Sequence, residues 1–197
     1  MFIDPETLTP KEIYKLLIGS VVPRPIAWVS TVSRNGVYNL APFSFYNVVS
    51  RNPPMLGISI GPGVGERNGT EKDTLTNIRS EKDFVINVVS NKVANQMHLS
   101  SGNFQPEVDE FKSVNVTPME SKIVKSPLIM EADIKMECRL EKIIELGSDH
   151  LVIGRLVQYH IIDDLYCDGK VNIGKLQPVG RLAGNYNLVE NIFLLPR

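Results

Sequence analysis

The stretch "ADIKMECRLEKIIELGSDHLVIGRLVQYHII", residues 132–162, decides the fold class. In it Ala132, Ile134, Met136, Cys138 and Leu140 alternate with Asp133, Lys135, Glu137, Arg139 and Glu141. A period of two sends successive side chains to opposite faces of a strand, so this segment predicts one apolar and one charged face. "GSDH" at 147–150 then turns the chain into "LVIGRLVQYHII", which predicts a strand pair.

Further short β-like runs lie upstream. "PIAWVSTVS", residues 25–33, alternates Ile26, Trp28 and Ser30 with Ala27, Val29 and Thr31, and "RNG" supplies a hairpin turn before Val37. "MLGISIG" and "FVINVV" read as two more strands. Helices are few and short. Thr9-Pro10 before "KEIYKLLIG" offers a capping residue and a proline at the first helical position. "EKDTLTNIRSEK" predicts a connector helix capped by Asp73 or Thr74, with Leu75 and Ile78 inward, and a further helix is expected near residues 92–99. "QPEVDEFKS" suggests one helical turn within a long excursion placed to cover a site. Many strands with few helices point to a mainly β barrel rather than alternating βαβ units.

The 197 residues suit one ordinary domain, 1–197, with a short N-terminal helix and a C-terminal extension. A content of 43% apolar and 22% charged residues is that of a globular chain with a substantial core. The formal net charge of −1 lacks the basic footprint of a nucleic-acid binder. Charged residues from Asp4 to Lys15 argue against a signal peptide, and no run is long enough for a membrane helix, so a cytoplasmic location is expected. Cys138 and Cys167 stand far apart, which disfavours a disulfide framework or zinc site and suggests reduced thiols.

"NLAPFSFYNVVSRNPP", residues 39–54, is a strand with polar interruptions: Ser44, Asn47 and Ser50 sit among strand-forming residues and prolines close the run. The loop "GPGVGERNGTEKDT" has Gly61, Gly63 and Gly65, but Glu66 stands where a dinucleotide fingerprint needs glycine or alanine, and no Gly-Lys-Ser/Thr follows. A flexible surface loop is the better reading. His98, His150 and His160 lack metal-ligand spacing and read as structural, no GxSxG elbow is present, and no carboxylate pair suggests an acid and a base. Trp28 reads as core and Arg24 as an ion-pair donor within the fold or at an interface. A chain without catalytic side chains suits chemistry carried by a cofactor. Such a chain needs small polar groups near a ring edge and Lys, Ser or Thr for a phosphate, which "SFYN" and "EKDT" offer.

"VVPRPIAWVST", "NLAPFSFYNVVSRNPP", "SIG", "KDTLTNI", "FVINVV", "DEF", "HLVIGRLV" and "PVGRLAGNYN" occur in an order that resembles the flavin reductase-like family of FMN-binding split barrels, which includes flavoredoxin. The resemblance runs from about Val21 to Asn187. It implies a Greek-key split β-barrel, usually a homodimer, with FMN near the subunit interface. By this matching Ser44, Phe45, Tyr46 and Asn47 would edge the isoalloxazine and ribityl groups, with Asn39 and Ala41 before them and Ser59 on the neighbouring strand. Lys72, Asp73 and Thr74 would meet the phosphate, and Thr31 would reach the phosphate or ribityl chain. The Asp73 carboxylate would repel a phosphate, so this residue would act through its backbone N–H or by capping the helix. Ala183 departs from the glycine of the family's RLGG pattern, which leaves open the contribution of Arg181 and Tyr186. The implied activity is hydride transfer from NADH or NADPH to flavin, with free flavin or a protein as acceptor. A flavin-binding electron carrier without NAD(P)H turnover, and a barrel that has lost flavin, stand as alternatives.

Overall fold

The computed structural model describes residues 1–196. In chain order the elements are α1 (Pro10–Ser20), β1 (Ala27–Val32), β2 (Tyr38–Phe43), β3 (Tyr46–Arg51), β4 (Pro54–Ile60), α2 (Asp73–Glu81), β5 (Asp83–Val88), α3 (Ala94–Leu99), α4 (Glu110–Ser113), β6 (Pro118–Met119), β7 (Leu128–Ile129), β8 (Ile134–Leu146), β9 (Asp149–Ile161), β10 (Tyr166–Cys167), β11 (Lys170–Val171), α5 (Ile173–Leu176), β12 (Val179–Arg181) and β13 (Tyr186–Leu188).

Seven strands form one antiparallel sheet in the order β2-β1-β5-β8-β9-β4-β3. Its edge strands, β2 and β3, are consecutive in sequence and joined only by Ser44 and Phe45. Three Cα–Cα steps from Phe43 to Tyr46 reach at most about 11 Å. The edges of a flat seven-stranded sheet would lie about 29 Å apart at ~4.8 Å per spacing. The sheet therefore curls until its edges meet, and the fold is the expected mainly β Greek-key split barrel with a few short helices. Beside the corner the Ser59 amide donates to the Phe45 carbonyl at 2.8 Å, which extends the β3–β4 ladder by one step.

The barrel interior holds Ala27, Val29, Ile58, Phe84, Ile86, Cys138 and Val152, with Leu75 and Ile78 of α2 packed against them as expected. The opposite face of β1 is also covered. Trp28, Leu40, Met97, Phe111 and Ile129 form a second cluster beneath the excursion that follows β5, and Trp28 Nε1 donates to Ser100 Oγ at 2.9 Å. Thr9 caps α1 in a reciprocal pair with Glu12. Gly36, at φ +79°, makes the expected β1–β2 turn.

Three expectations need correction. The β8–β9 hairpin is longer than the alternating run: each strand has 13 residues, turning at Gly147 with φ +59°. The charged face of β8 is not all solvated: Lys135 and Glu137 are buried, Glu137 beneath a crossing segment. Glu137 accepts backbone N–H bonds from Lys122, Ile123 and Val124 and lies 2.6 Å from His160 Nε2. Burial pushes its carboxyl up, but these bonds outweigh it and hold the group below its ordinary value. Asp83 anchors the same segment through Lys125 and Ser126. Finally, among the described residues Arg24 makes no ion pair within the fold, the first of its two expected roles. Its guanidinium donates to the carbonyls of Ile18 (2.8 Å), Val21 (2.6 Å) and Leu182 (2.9 Å) and to Ser44 Oγ (3.3 Å).

Gly154 on β9 has no room for a side chain, since a Cβ there would collide with the buried Phe84 ring. Gly154→Val is expected to destabilise the barrel by roughly 1–3 kcal/mol, read as a lower urea midpoint.

Candidate cofactor site

A buried polar network ties β1, β2, α2 and α4 together. Asn39 is its hub: its Oδ1 accepts from the hydroxyls of Thr74 (2.8 Å) and Thr31 (3.2 Å), and its Nδ2 donates to Glu110 Oε1 (2.9 Å). Asn77 Nδ2 donates to Thr31 Oγ1 at 3.0 Å, and the Leu40 amide donates to Glu110 Oε2 at 2.5 Å. Each named amide or hydroxyl finds a partner, as buried polar groups must. Burial is the main force pushing the Glu110 carboxyl up to about 7, against the two bonds that favour its ionised form.

Above this network lies a cavity of about 160 Å³, whose walls include Asn39, Ala41, Lys72, Asp73, Thr74 and Glu110. The N-terminus of α2 opens into it. Lys72 is the N-cap residue and makes no side-chain capping bond, while Asp73 occupies the first helical position. This corrects the expectation that Asp73 or Thr74 caps the helix. Asp73 is instead gripped by both terminal nitrogens of Arg67, whose Nη1 also donates to the Phe104 carbonyl at 3.0 Å. The Asp73 charge is thereby offset. Lys72 is half-buried and has no hydrogen-bond or ion-pair partner among the described residues; burial, then the nearby Arg67, lowers its pKa. A cation without a counterion beside helix N-terminal amides forms a place for an anion.

A larger groove of about 730 Å³ adjoins the cavity, sharing Pro42, Phe43 and Gly61. Tyr14, Ser44, Phe45, Ser59 and Asp149 also line it, and Ser59 Oγ donates to Asp149 Oδ2 at 3.2 Å. Ser44 sits at the barrel seam. Because its oxygen accepts from Arg24 Nε, its own proton remains to be donated.

The expected residues separate into groups. Asn39, Ala41, Lys72, Asp73 and Thr74 meet in the cavity, and Ser44, Phe45 and Ser59 meet in the groove. Thr31 is fully buried behind the cavity, with its hydroxyl engaged by Asn39 and Asn77. Tyr46 packs against the barrel interior, where burial raises its pKa. Asn47 is exposed on β3, borders neither space, and accepts from the Val48 amide at 2.8 Å. Arg67, Glu110 and residues 100–104 of the excursion were not singled out for the site. Their signals were slight: Glu110 lies in the "DEF" block, and Arg67 lies in the glycine-rich loop. That loop is laced by backbone bonds among Gly63, Arg67, Gly69 and Thr70 rather than loose.

The split barrel thus sets a cavity at the start of α2, with Lys72 on its wall, against a partly apolar groove. The chain belongs to the flavin reductase-like family, whose flavin reductase like domain pattern matches residues 18–175. It is thus a flavin-associated oxidoreductase by family. It is 41% identical to an uncharacterised protein of Halalkalibacterium halodurans over 100% of this chain and 96% of that one. The nitrilotriacetate monooxygenase component B of Bacillus cereus superposes with a TM-score of 0.94 at 36% identity, covering 99% of this chain and 98% of that chain. The 2-nitrobenzoate 2-nitroreductase of Pseudomonas fluorescens gives 0.89 at 32% identity, covering 100% and 96%. Among the described residues no helix is long and apolar enough to cross a membrane, and no cluster of three or more His, Cys, Asp or Glu is arranged to hold a metal.

Because Glu110 holds its proton more tightly when folded, its contribution to stability is fully present below pH about 4.5 and is lost as pH rises through about 7. Melting temperatures across that window should fall with rising pH, and Glu110→Gln should flatten the slope.

Proposed function

We propose that the chain is a single FMN-binding unit, residues 1–197, that takes hydride from NADH or NADPH and passes electrons to free flavin or an acceptor protein. The observation that carries this reading is the Lys72 cavity at the α2 N-terminus, continuous with the groove at Ser44 and Phe45. The chemistry of the donors fits FMN: a half-buried cation without a partner and helix-terminal amides suit a phosphate dianion, and a groove walled by Pro42, Phe43, Phe45 and Tyr14 suits a flat heterocycle. The bound flavin would supply the hydride-accepting ring.

The chain's own groups would bind, orient and exclude water. Lys72 would offset the phosphate charge, while Arg67 keeps Asp73 from opposing it. The network through Asn39, Thr74 and Glu110 would hold the start of α2 in place. Ser44, held by Arg24, would donate its proton towards the ring edge, and the apolar groove walls would keep water from its face. Comparable small barrels that serve a monooxygenase or reduce a nitroaromatic acid, as their names state, support an oxidoreductase role with a separate acceptor.

A cytoplasmic homodimer belongs to the same proposal. It is supported by α1, which has no buried residue and exposes Leu16 and Leu17, and by Val48 at 62% exposure on β3 beside Asn47. In such a dimer Asn47 would reach the flavin bound by the second copy.

The purified protein should be yellow, bind FMN on titration, and oxidise NADH or NADPH in steady-state assays. A colourless protein that neither binds FMN nor oxidises either nucleotide overturns the reading, and FMN binding without turnover would mark an electron carrier. Lys72→Ala is expected to weaken FMN at least about tenfold with unchanged circular dichroism. Asn47→Ala should also weaken it, and unchanged affinity in both variants removes the site assignment.

A further inference from the structure

A second pocket lies on the other side of Ser44. Its volume is about 230 Å³, and Tyr14, Ser44, His98, Ser101, Arg181 and Tyr186 supply its polar lining. Ser44 also borders the groove and Ser101 also borders the Lys72 cavity, so this pocket opens directly beside the candidate flavin site. Among the described residues no carboxylate lines it.

The fold places Arg181 there by backbone pairing. The Arg24 amide donates to the Arg181 carbonyl at 3.0 Å, and the Arg181 amide donates to the Arg24 carbonyl at 2.8 Å. Across the β12–β13 ladder Arg181 faces Tyr186, and its guanidinium carbon sits 4.5 Å from the Tyr186 ring centroid. Tyr186 is held in turn by His98: the rings meet edge to face at 5.8 Å, and His98 Nδ1 lies 3.1 Å from the Tyr186 hydroxyl. Among the described residues Arg181 makes no salt bridge and no side-chain hydrogen bond, whereas Arg24 spends its donors on three carbonyls and Ser44. Resting over an aromatic face restrains a guanidinium while leaving its N–H edge free, and that planar edge matches a phosphate's paired oxygens.

We propose that this pocket binds the pyrophosphate of the nicotinamide dinucleotide, with Arg181 as the anion-binding residue and Tyr186 and His98 as the groups that position it. The inference rests on the reading of the chain as an NAD(P)H-using flavoprotein and adds where the donor is gripped. A pocket of this size takes part of a dinucleotide rather than the whole, since sites that enclose a full organic ligand run to roughly 300–1,000 Å³. The nicotinamide then extends past Ser44 towards the flavin groove.

The test compares two hydride donors on the full-length, flavin-loaded protein. NADH carries the pyrophosphate; 1-benzyl-1,4-dihydronicotinamide does not. Arg181→Met is expected to raise the KM for NADH about tenfold or more, while the KM for the benzyl compound and the affinity for FMN stay unchanged. Arg181→Lys should restore part of the loss. Calorimetry with ADP-ribose, which has the pyrophosphate but no nicotinamide, should show binding to the wild type and a similar loss in Arg181→Met. An unchanged KM for NADH, or an equal loss with both donors, overturns the inference. If the wild type oxidises neither donor, the hydride-transfer reading fails, and ADP-ribose decides the pocket separately: binding that depends on Arg181 upholds it, and no binding overturns it.

Discussion

Closure of the sheet by two residues is the constraint on which the rest of the structure depends. β2 and β3 lie at opposite ends of a seven-stranded order, yet only Ser44 and Phe45 separate them. The chain cannot span the width of an open sheet in that distance, so curling follows from connectivity. Arg24 reinforces the corner from within, linking Ser44 to the carbonyls of Ile18, Val21 and Leu182. Its full set of carbonyl and hydroxyl partners makes a buried cation tolerable without a counterion. The interruption of alternation in residues 39–54 is thus the barrel's seam, and the groove opens beside it.

A second layer of organisation comes from polar groups buried between elements. Asn39, Thr31, Thr74, Asn77 and Glu110 join β1, β2, α2 and α4. These groups find their partners within the fold, while among the described residues Lys72 at the cavity wall has none. The division of labour is physical: a saturated network is rigid and holds geometry, while an unsaturated cation has donors left for a ligand. Arg67 contributes by neutralising Asp73, which would otherwise oppose any phosphate at the α2 terminus.

Much of the fold was legible from local pattern. The alternation after Ala132, the Arg34-Asn35-Gly36 turn and the Thr9-Pro10 helix start each reflect interactions within a few residues, and each appears in the structure. Of the expected site residues, eight line the adjoining cavity and groove: Asn39, Ala41, Ser44, Phe45, Ser59, Lys72, Asp73 and Thr74. Thr31 and Tyr46 face inward, and Asn47 faces out. Thr31 follows the alternation of β1, whereas the directions of Tyr46 and Asn47 depend on the corner between β2 and β3. Arg67 and Glu110 were less visible because each acts on a residue distant in sequence or in a different element, as Glu110 does on Leu40.

The order of residues establishes a mainly β chain, because strand periodicity and turn chemistry are short-range effects carried by neighbouring side chains, and its motif blocks carry the family resemblance. Which polar residues are consumed by the fold and which are left for a ligand is decided only by the tertiary structure. Glu137 on a charged strand face becomes the buried acceptor for three backbone amides, and Asp73 becomes the partner of Arg67 rather than a cap. Among the described residues Lys72 and Arg181 have no counterion. Burial and partnership depend on which distant segments are brought together, and closure of the barrel brings them together.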